Sequence, residues 1–170
     1  NCKVIANYAV GFNNIDVDYA SSKGVIVTNT PDVLTDSTAD LAIALVLACA
    51  RRITESEILV RSRKFVGWKP QLLLGMELRN KYFGILGAGR IGTEVAKRAH
   101  AFSCRIIYYS NSANSFLENK LDAEKLSLRS ILKKSDILSL HLPLNTKTYL
   151  LLNEENLNLL KKSAILINTA

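Results

Sequence analysis

Six residues near the middle of the chain, Gly87-Ala88-Gly89-Arg90-Ile91-Gly92, have the types and the spacing that hold a pyrophosphate. The first glycine permits a tight turn, the second lets a phosphate approach the backbone, and the third lets a helix pack closely on a strand. An apolar run precedes them and an amphipathic segment follows, which is the strand-to-helix context the motif needs. Free N–H groups at the helix start and the helix dipole favour an anion there. Arg90 adds a side chain suited to a charge-assisted bond to phosphate. The chemistry served is dinucleotide binding. About 20 residues further on, such a site often carries a carboxylate that accepts bonds from the ribose diol. Here the sequence reads Tyr109-Ser110-Asn111-Ser112, with no carboxylate before Glu118. A carboxylate would repel a 2′-phosphate, whereas Ser110, Asn111 and Ser112 can donate hydrogen bonds to one. This favours NADP(H). No Arg stands among the three, so NAD(H) stays open.

Other candidate chemistry is thinner. Cys2, Cys49 and Cys104 are odd in number, widely spaced and without a CxxC pair, and His100 and His141 lie far from them. No metal site is expected, and free thiols in a reducing cytoplasm fit best. His100 belongs to the helix after the glycine turn. His141 ends a strand near the expected adenine position and reads as structural or as cofactor wall. Neither is assigned a proton-transfer role.

The elements that must position the glycine turn alternate. Residues 3–10 read as a buried strand. Residues 11–24 read as a turn and short helix, capped by Asp16 and ended by Gly24, and 25–31 as a second strand stopped by Pro31. Residues 36–53 read as a long helix, apolar nearly all round and so buried on several sides, with Asp36 or Ser37 as its cap. Residues 54–80 start helically and are then broken by Gly67, Pro70 and Gly75, giving an arm. Strand 81–86, the glycine turn and its helix follow. Then come strand 104–110, helix 127–135, strand 136–143, helix 153–163 and strand 164–168. The alternation predicts an α/β, doubly wound parallel sheet. Three regions are expected: 1–30 as the tail of one domain, 31–79 as an interdomain helix and dimerisation arm, and 80–170 as the first part of a dinucleotide-binding domain.

The 170 residues carry a net charge of +7. The excess lies beyond residue 79, scattered as pairs such as Lys97-Arg98, Lys133-Lys134 and Lys161-Lys162 on amphipathic segments. No aromatic-flanked basic stripe accompanies it, so solvated helix faces and attraction for an anionic cofactor explain it better than nucleic acid. The most apolar stretch, 41–50, falls well short of the roughly 20 residues of a membrane span. No signal peptide is visible at the first residues and no membrane partner is expected. The chain lacks an initiator Met and stops at the end of a predicted strand, so it reads as truncated at both ends.

Five stretches, VGFNNID (10–16), VTNTPDVLTDSTADLAIALVLACARRI (27–53), GMELRNKYFGILGAGRIG (75–92), HLPLNTKTYLLLN (141–153) and AILINTA (164–170), run through essentially the whole chain in order. Together they resemble the D-isomer-specific 2-hydroxyacid dehydrogenases, most closely the glyoxylate/hydroxypyruvate reductase branch. The resemblance implies a partial Rossmann-type sheet plus the tail of a flavodoxin-like substrate domain. It implies NAD(P)H-dependent reduction of a small 2-oxo acid, glyoxylate or hydroxypyruvate, in a cytoplasmic homodimer. By the same resemblance the Val10 and Gly11 N–H groups hold the substrate carboxylate, Ala88 to Ile91 the pyrophosphate, and Ser110 to Ser112 the ribose. Thr169 and Ala170 line the nicotinamide side. The family's catalytic Arg, Glu and His are expected beyond Ala170, so the 170 residues alone are expected to be inactive. Two alternatives stay open: a dinucleotide-sensing, corepressor-like binding module, and an inert truncated product.

Overall fold

The computed structural model describes residues 2–170. Strand β1 (Val4–Ala6), helix α1 (Val17–Ser22) and strand β2 (Ile26–Thr28) form a βαβ unit with two parallel strands. Asp16 caps α1 by accepting the Tyr19 N–H at 2.8 Å, and Gly24 follows with φ +69°. Both strands are shorter than the apolar runs that announced them. Residues 7–10 and 29–31 leave the ladder as loops.

Helix α2 (Thr35–Ala50) has no side-chain cap, contrary to the expectation for Asp36 or Ser37, because it starts early, with Leu34 at the cap position. It stops at Ala50, where Arg52 turns left-handed (φ 53°), and α3 (Ile53–Arg61) begins. One face of α2 is buried through Ala39, Ala42, Ile43, Val46 and Ala50. Leu41 and Leu45 on the other side are exposed, so the helix is covered on fewer sides than its composition suggested.

The remaining elements are β3 (Tyr82–Leu86), α4 (Arg90–Ala101), β4 (Arg105–Tyr109), α5 (Ser115–Leu121), β5 (Glu124–Lys125), α6 (Leu128–Lys134), β6 (Ile137–Leu140), α7 (Glu154–Leu157) and β7 (Ile165–Asn168). Five of them make one parallel sheet in the order β5-β4-β3-β6-β7. The chain runs outward from β3 to β5, returns to the other side of β3, and runs outward again to β7. The order therefore reverses between β3 and β6. In open parallel sheets the crevice at that reversal, beyond the strands' carboxyl ends, is where ligands bind.

Strand alternation splits the core in two. Phe83, Ile85, Ile106, Tyr108, Ile137 and Ile167 face one side, where α2, α4 and α5 cover them. Leu86, Ile107 and Leu138 face the other, under α6 and the segment around α7. Small residues at the α2–α4 contact, among them Ala42, Ala96 and Ala99, let the two helices approach closely. Their polar rim is tied by Arg98, whose guanidinium pairs with Asp36 (2.9 Å), Asp40 (2.6 Å) and Glu94 (3.0 Å). Together the three carboxylates hold Arg98 above its ordinary range. Among the described residues, no helix is long and apolar enough to cross a membrane.

Candidate functional site

The glycine turn sits between β3 and α4, at the sheet's reversal point, and its three glycines answer three different constraints. Gly87 has φ +98°, and a Cβ there would lie 2.4 Å from the His141 carbonyl oxygen. A Cβ on Gly92 would lie 2.0 Å from the Gly87 carbonyl oxygen. A Cβ on Gly89 would meet nothing within 4 Å, and its backbone is extended (φ −79°, ψ −159°). Neither packing nor conformation asks for glycine at position 89. The open space in front of it fits a ligand that approaches the backbone. Gly89 is also the cap of α4 and makes no side-chain cap bond, so the helix start offers the N–H groups of Arg90, Ile91 and Gly92 to whatever lies there.

The turn is stitched to its neighbours. The Gly87 N–H donates to the Tyr109 carbonyl at 2.9 Å, which sets Ser110, Asn111 and Ser112 directly beside the turn. On the other side the His141 N–H donates to the Leu86 carbonyl at 2.7 Å. His141 is half-buried, with its Nε2 2.8 Å from the Ser139 hydroxyl, and burial pushes its imidazole down to about 4. At that value the imidazole is uncharged at physiological pH. His100, at the far end of α4, is exposed.

Arg90 does not reach over the turn in this conformation. Its Nε lies 2.8 Å from the Asp32 carboxylate, and Asp32 itself is left-handed (φ 72°). An open cleft lies between Asp32 and Thr35 on one side and Ala88, Gly89, Thr93 and Asn114 on the other. Its carboxylates are neutralised: Asp32 by Arg90, and Glu94 by Lys97 and Arg98. A pyrophosphate therefore meets no uncompensated negative charge in the cleft.

Asn114 was not marked by the sequence reading, and it is the most connected side chain of the cleft. Its Nδ2 donates to the Ala88 carbonyl (3.0 Å) and to the Thr93 hydroxyl (2.9 Å). Its Oδ1 accepts the Leu117 N–H at 3.1 Å, capping α5. Its own N–H donates to the buried Tyr108 hydroxyl (2.9 Å), which in turn donates to Glu118. The first carboxylate after Ser110, Asn111 and Ser112 is thus engaged by a tyrosine. Lys125 on β5 donates to the Asn111 carbonyl at 3.4 Å, bringing a cation to that loop from a strand the sequence did not reveal.

Val10 and Gly11 follow β1 in the other sheet. Asn29 donates to the Val10 carbonyl (2.9 Å) and Asn7 to the Gly11 carbonyl (2.7 Å). The two N–H groups have no acceptor among the described residues. Successive free N–H groups of this kind suit an anion. Neither asparagine was marked by the sequence reading. Thr169 and Ala170 end the chain after β7, two strands from β3. The Thr169 hydroxyl is buried without a hydrogen-bond partner among the described residues. The two sheets share no ladder; the Arg90–Asp32 pair spans from the segment after β2 to the glycine turn.

Comparison with known proteins matches this geometry to a family. The family profile described as D-isomer specific 2-hydroxyacid dehydrogenase, NAD binding domain, matches residues 43–170. A glyoxylate reductase of Thermococcus litoralis is 51% identical over 99% of this chain, which covers 52% of that protein. A crystal structure of a protein from Thermus thermophilus superposes with TM-score 0.92 at 46% identity, over 99% of this chain and 52% of that one. A D-lactate dehydrogenase from Aquifex aeolicus, solved with NAD and lactic acid, gives TM-score 0.91 at 34% identity, over 99% and 50%. The chain spans about half the length of these relatives. It belongs to the D-isomer specific 2-hydroxyacid dehydrogenase family.

Proposed function

We propose that this chain is the dinucleotide-holding part, with the end of the substrate domain, of an NAD(P)H-dependent reductase of glyoxylate or hydroxypyruvate. The observation that carries the reading is the glycine turn at the sheet reversal, with Gly87 and Gly92 required by crowding and open space left in front of Gly89. The chemistry supplied by the bound cofactor is hydride donation to the carbonyl carbon of the 2-oxo acid. The N–H groups at the start of α4 hold the pyrophosphate. Arg90, held by Asp32 at the edge of the cleft, adds its positive charge beside the phosphates, and Ser110, Asn111 and Ser112 bond the adenosine ribose. The Val10 and Gly11 N–H groups hold the substrate carboxylate, their peptides fixed from behind by Asn29 and Asn7. Thr169, with a buried hydroxyl in need of a partner, and Ala170 line the nicotinamide side. On this reading the proton donor and the arginine that grips the substrate belong to sequence after Ala170, and His141 supplies no proton.

NADP(H) is the favoured cofactor. Glu118, the first carboxylate after residues 110–112, is taken up by Tyr108, and Lys125 adds a positive charge beside Asn111. The assembly is a cytoplasmic homodimer. The deciding experiment is steady-state turnover of glyoxylate by the intact protein with NADPH and with NADH. Oxidation of either cofactor only when glyoxylate is present supports the reductase reading. A higher kcat/KM with NADPH supports the cofactor assignment. No turnover with either cofactor, despite tight dinucleotide binding, would point to a sensing module.

A further inference from the structure

We propose that Asn114 is a positioning residue for the dinucleotide, a brace that fixes the phosphate turn and the ribose loop in one register before ligand arrives. This rests on the dinucleotide reading above. An asparagine that merely caps a helix uses its side-chain oxygen and leaves its amide nitrogen to solvent. Asn114 caps α5 with Oδ1 and spends Nδ2 on two acceptors of the glycine-turn region, 26 and 21 residues away in sequence. The partners settle which way the amide points: the Leu117 N–H can only donate, and the Ala88 carbonyl can only accept.

The consequence reaches the phosphates through one peptide group. A trans peptide is planar, so the Ala88 carbonyl and the Gly89 N–H point in opposite directions. Asn114 holds that carbonyl, and so sets the direction of the N–H at the one glycine of the turn whose front is open space. The same residue's backbone N–H is fixed on Tyr108, a fully buried side chain of β4, so the brace stands on the sheet core and not on a loose loop. Donors fixed in advance bind without the entropic cost of ordering them.

The test uses ADP-ribose, which carries the pyrophosphate and both riboses but no nicotinamide, titrated calorimetrically into the intact protein. Asn114→Ser keeps an N-cap oxygen but is too short to reach Ala88 and Thr93. Asn114→Asp is also a good cap and cannot donate. Both are expected to melt within a few degrees of wild type. Both are expected to bind ADP-ribose about tenfold more weakly or worse, the Ser variant through the loss of one or two neutral hydrogen bonds and the Asp variant also through a carboxylate set against the pyrophosphate. In turnover, KM for the cofactor rises while kcat changes little. Wild-type affinity in both variants overturns the proposal. So does a Ser variant whose binding loss tracks a matching fall in melting temperature, while the stable Asp variant binds normally: that pattern is a cap and nothing more. A wild-type protein that binds neither ADP-ribose nor NADPH overturns the dinucleotide reading itself, and this proposal with it.

Discussion

Gly87 and Gly89 make opposite demands on a methyl group. Alanine at 87 must accept φ +98° and a Cβ driven against the His141 carbonyl, backbone that cannot swing aside. Gly87→Ala is expected to cost about 2 kcal/mol or more, read from urea unfolding. Gly89→Ala adds its Cβ to open space at a helix cap, so stability moves by less than about 1 kcal/mol. Its dinucleotide affinity should nevertheless fall by about tenfold or more, because the methyl stands where the pyrophosphate approaches. Equal affinity in Gly89→Ala and wild type would remove the phosphate from this turn. His141 offers a pH test at the same scale. Its imidazole is pushed from 6.5 down to about 4 by burial, so between those values the unfolded chain binds the extra proton. Stability therefore rises with pH across that window and is lost on acidification, by up to roughly 3 kcal/mol from this group. Urea midpoints should separate between pH ~4.5 and ~7.5 in wild type, and less so in His141→Gln. An unchanged separation would place the acid sensitivity elsewhere.

Between elements, Arg98 is the chief polar tie of α2 to α4, since it reaches two carboxylates of α2 while it braces Glu94 one turn back on its own helix. Asp36 and Asp40 are largely exposed, so the pairs are screened. Arg98→Ala is expected to cost about 1–2 kcal/mol in urea unfolding, and the difference should shrink in about 1 M salt. A cost that is the same at high salt would mean that the arginine's stem, and not its charge, is what matters. That tie, with one end in each helix, could not be seen in the sequence, although both helices could. The elements that were legible share a physical cause: β3, α4, β4 and β6 carry runs or stripes of apolar residues because they are buried on a defined face. The ones that were missed lack such a signature. Helix α5 has only seven residues, and β5 is Glu124-Lys125, two charged residues at a sheet edge that pair through backbone alone. Residues 153–163 read as one helix in the sequence. Only Glu154–Leu157 is helical, after which Leu159 and Leu160 bond three residues back and the chain proceeds in tight turns. The site divides in the same way. A glycine motif is local and can be read, whereas Asn29 acts over 19 residues and Asn114 over 26, distances at which an asparagine carries no signal of its own.

At the scale of the molecule, the five-stranded sheet is covered on both faces, yet a large apolar surface lies outside either core. Ile58 and Val60 on α3, Phe65, Val66 and Trp68 on the arm, and Leu41 and Leu45 on α2 are all exposed, with Val66 at 85% and Trp68 at 82%. They fall within one stretch of about 30 positions, and exposed apolar surface gathered in this way is what an interface uses. An indole offers roughly 200 Å² of surface, so burying Trp68 against a partner stabilises by up to about 5 kcal/mol. On the proposed reading the partner is a second copy, and a two-fold arrangement sets each arm against the same surface of the other chain. The intact protein is therefore expected to sediment as a dimer at micromolar concentration. Val66→Glu with Trp68→Glu should shift it to monomer while leaving the far-ultraviolet circular dichroism unchanged, because neither side chain supports its own chain's core. A wild-type monomer at that concentration would refute the arm as a dimer contact. A dimer indifferent to the double substitution would move the interface to another surface, with the exposed side of α2 the next to be tested by Leu41→Glu.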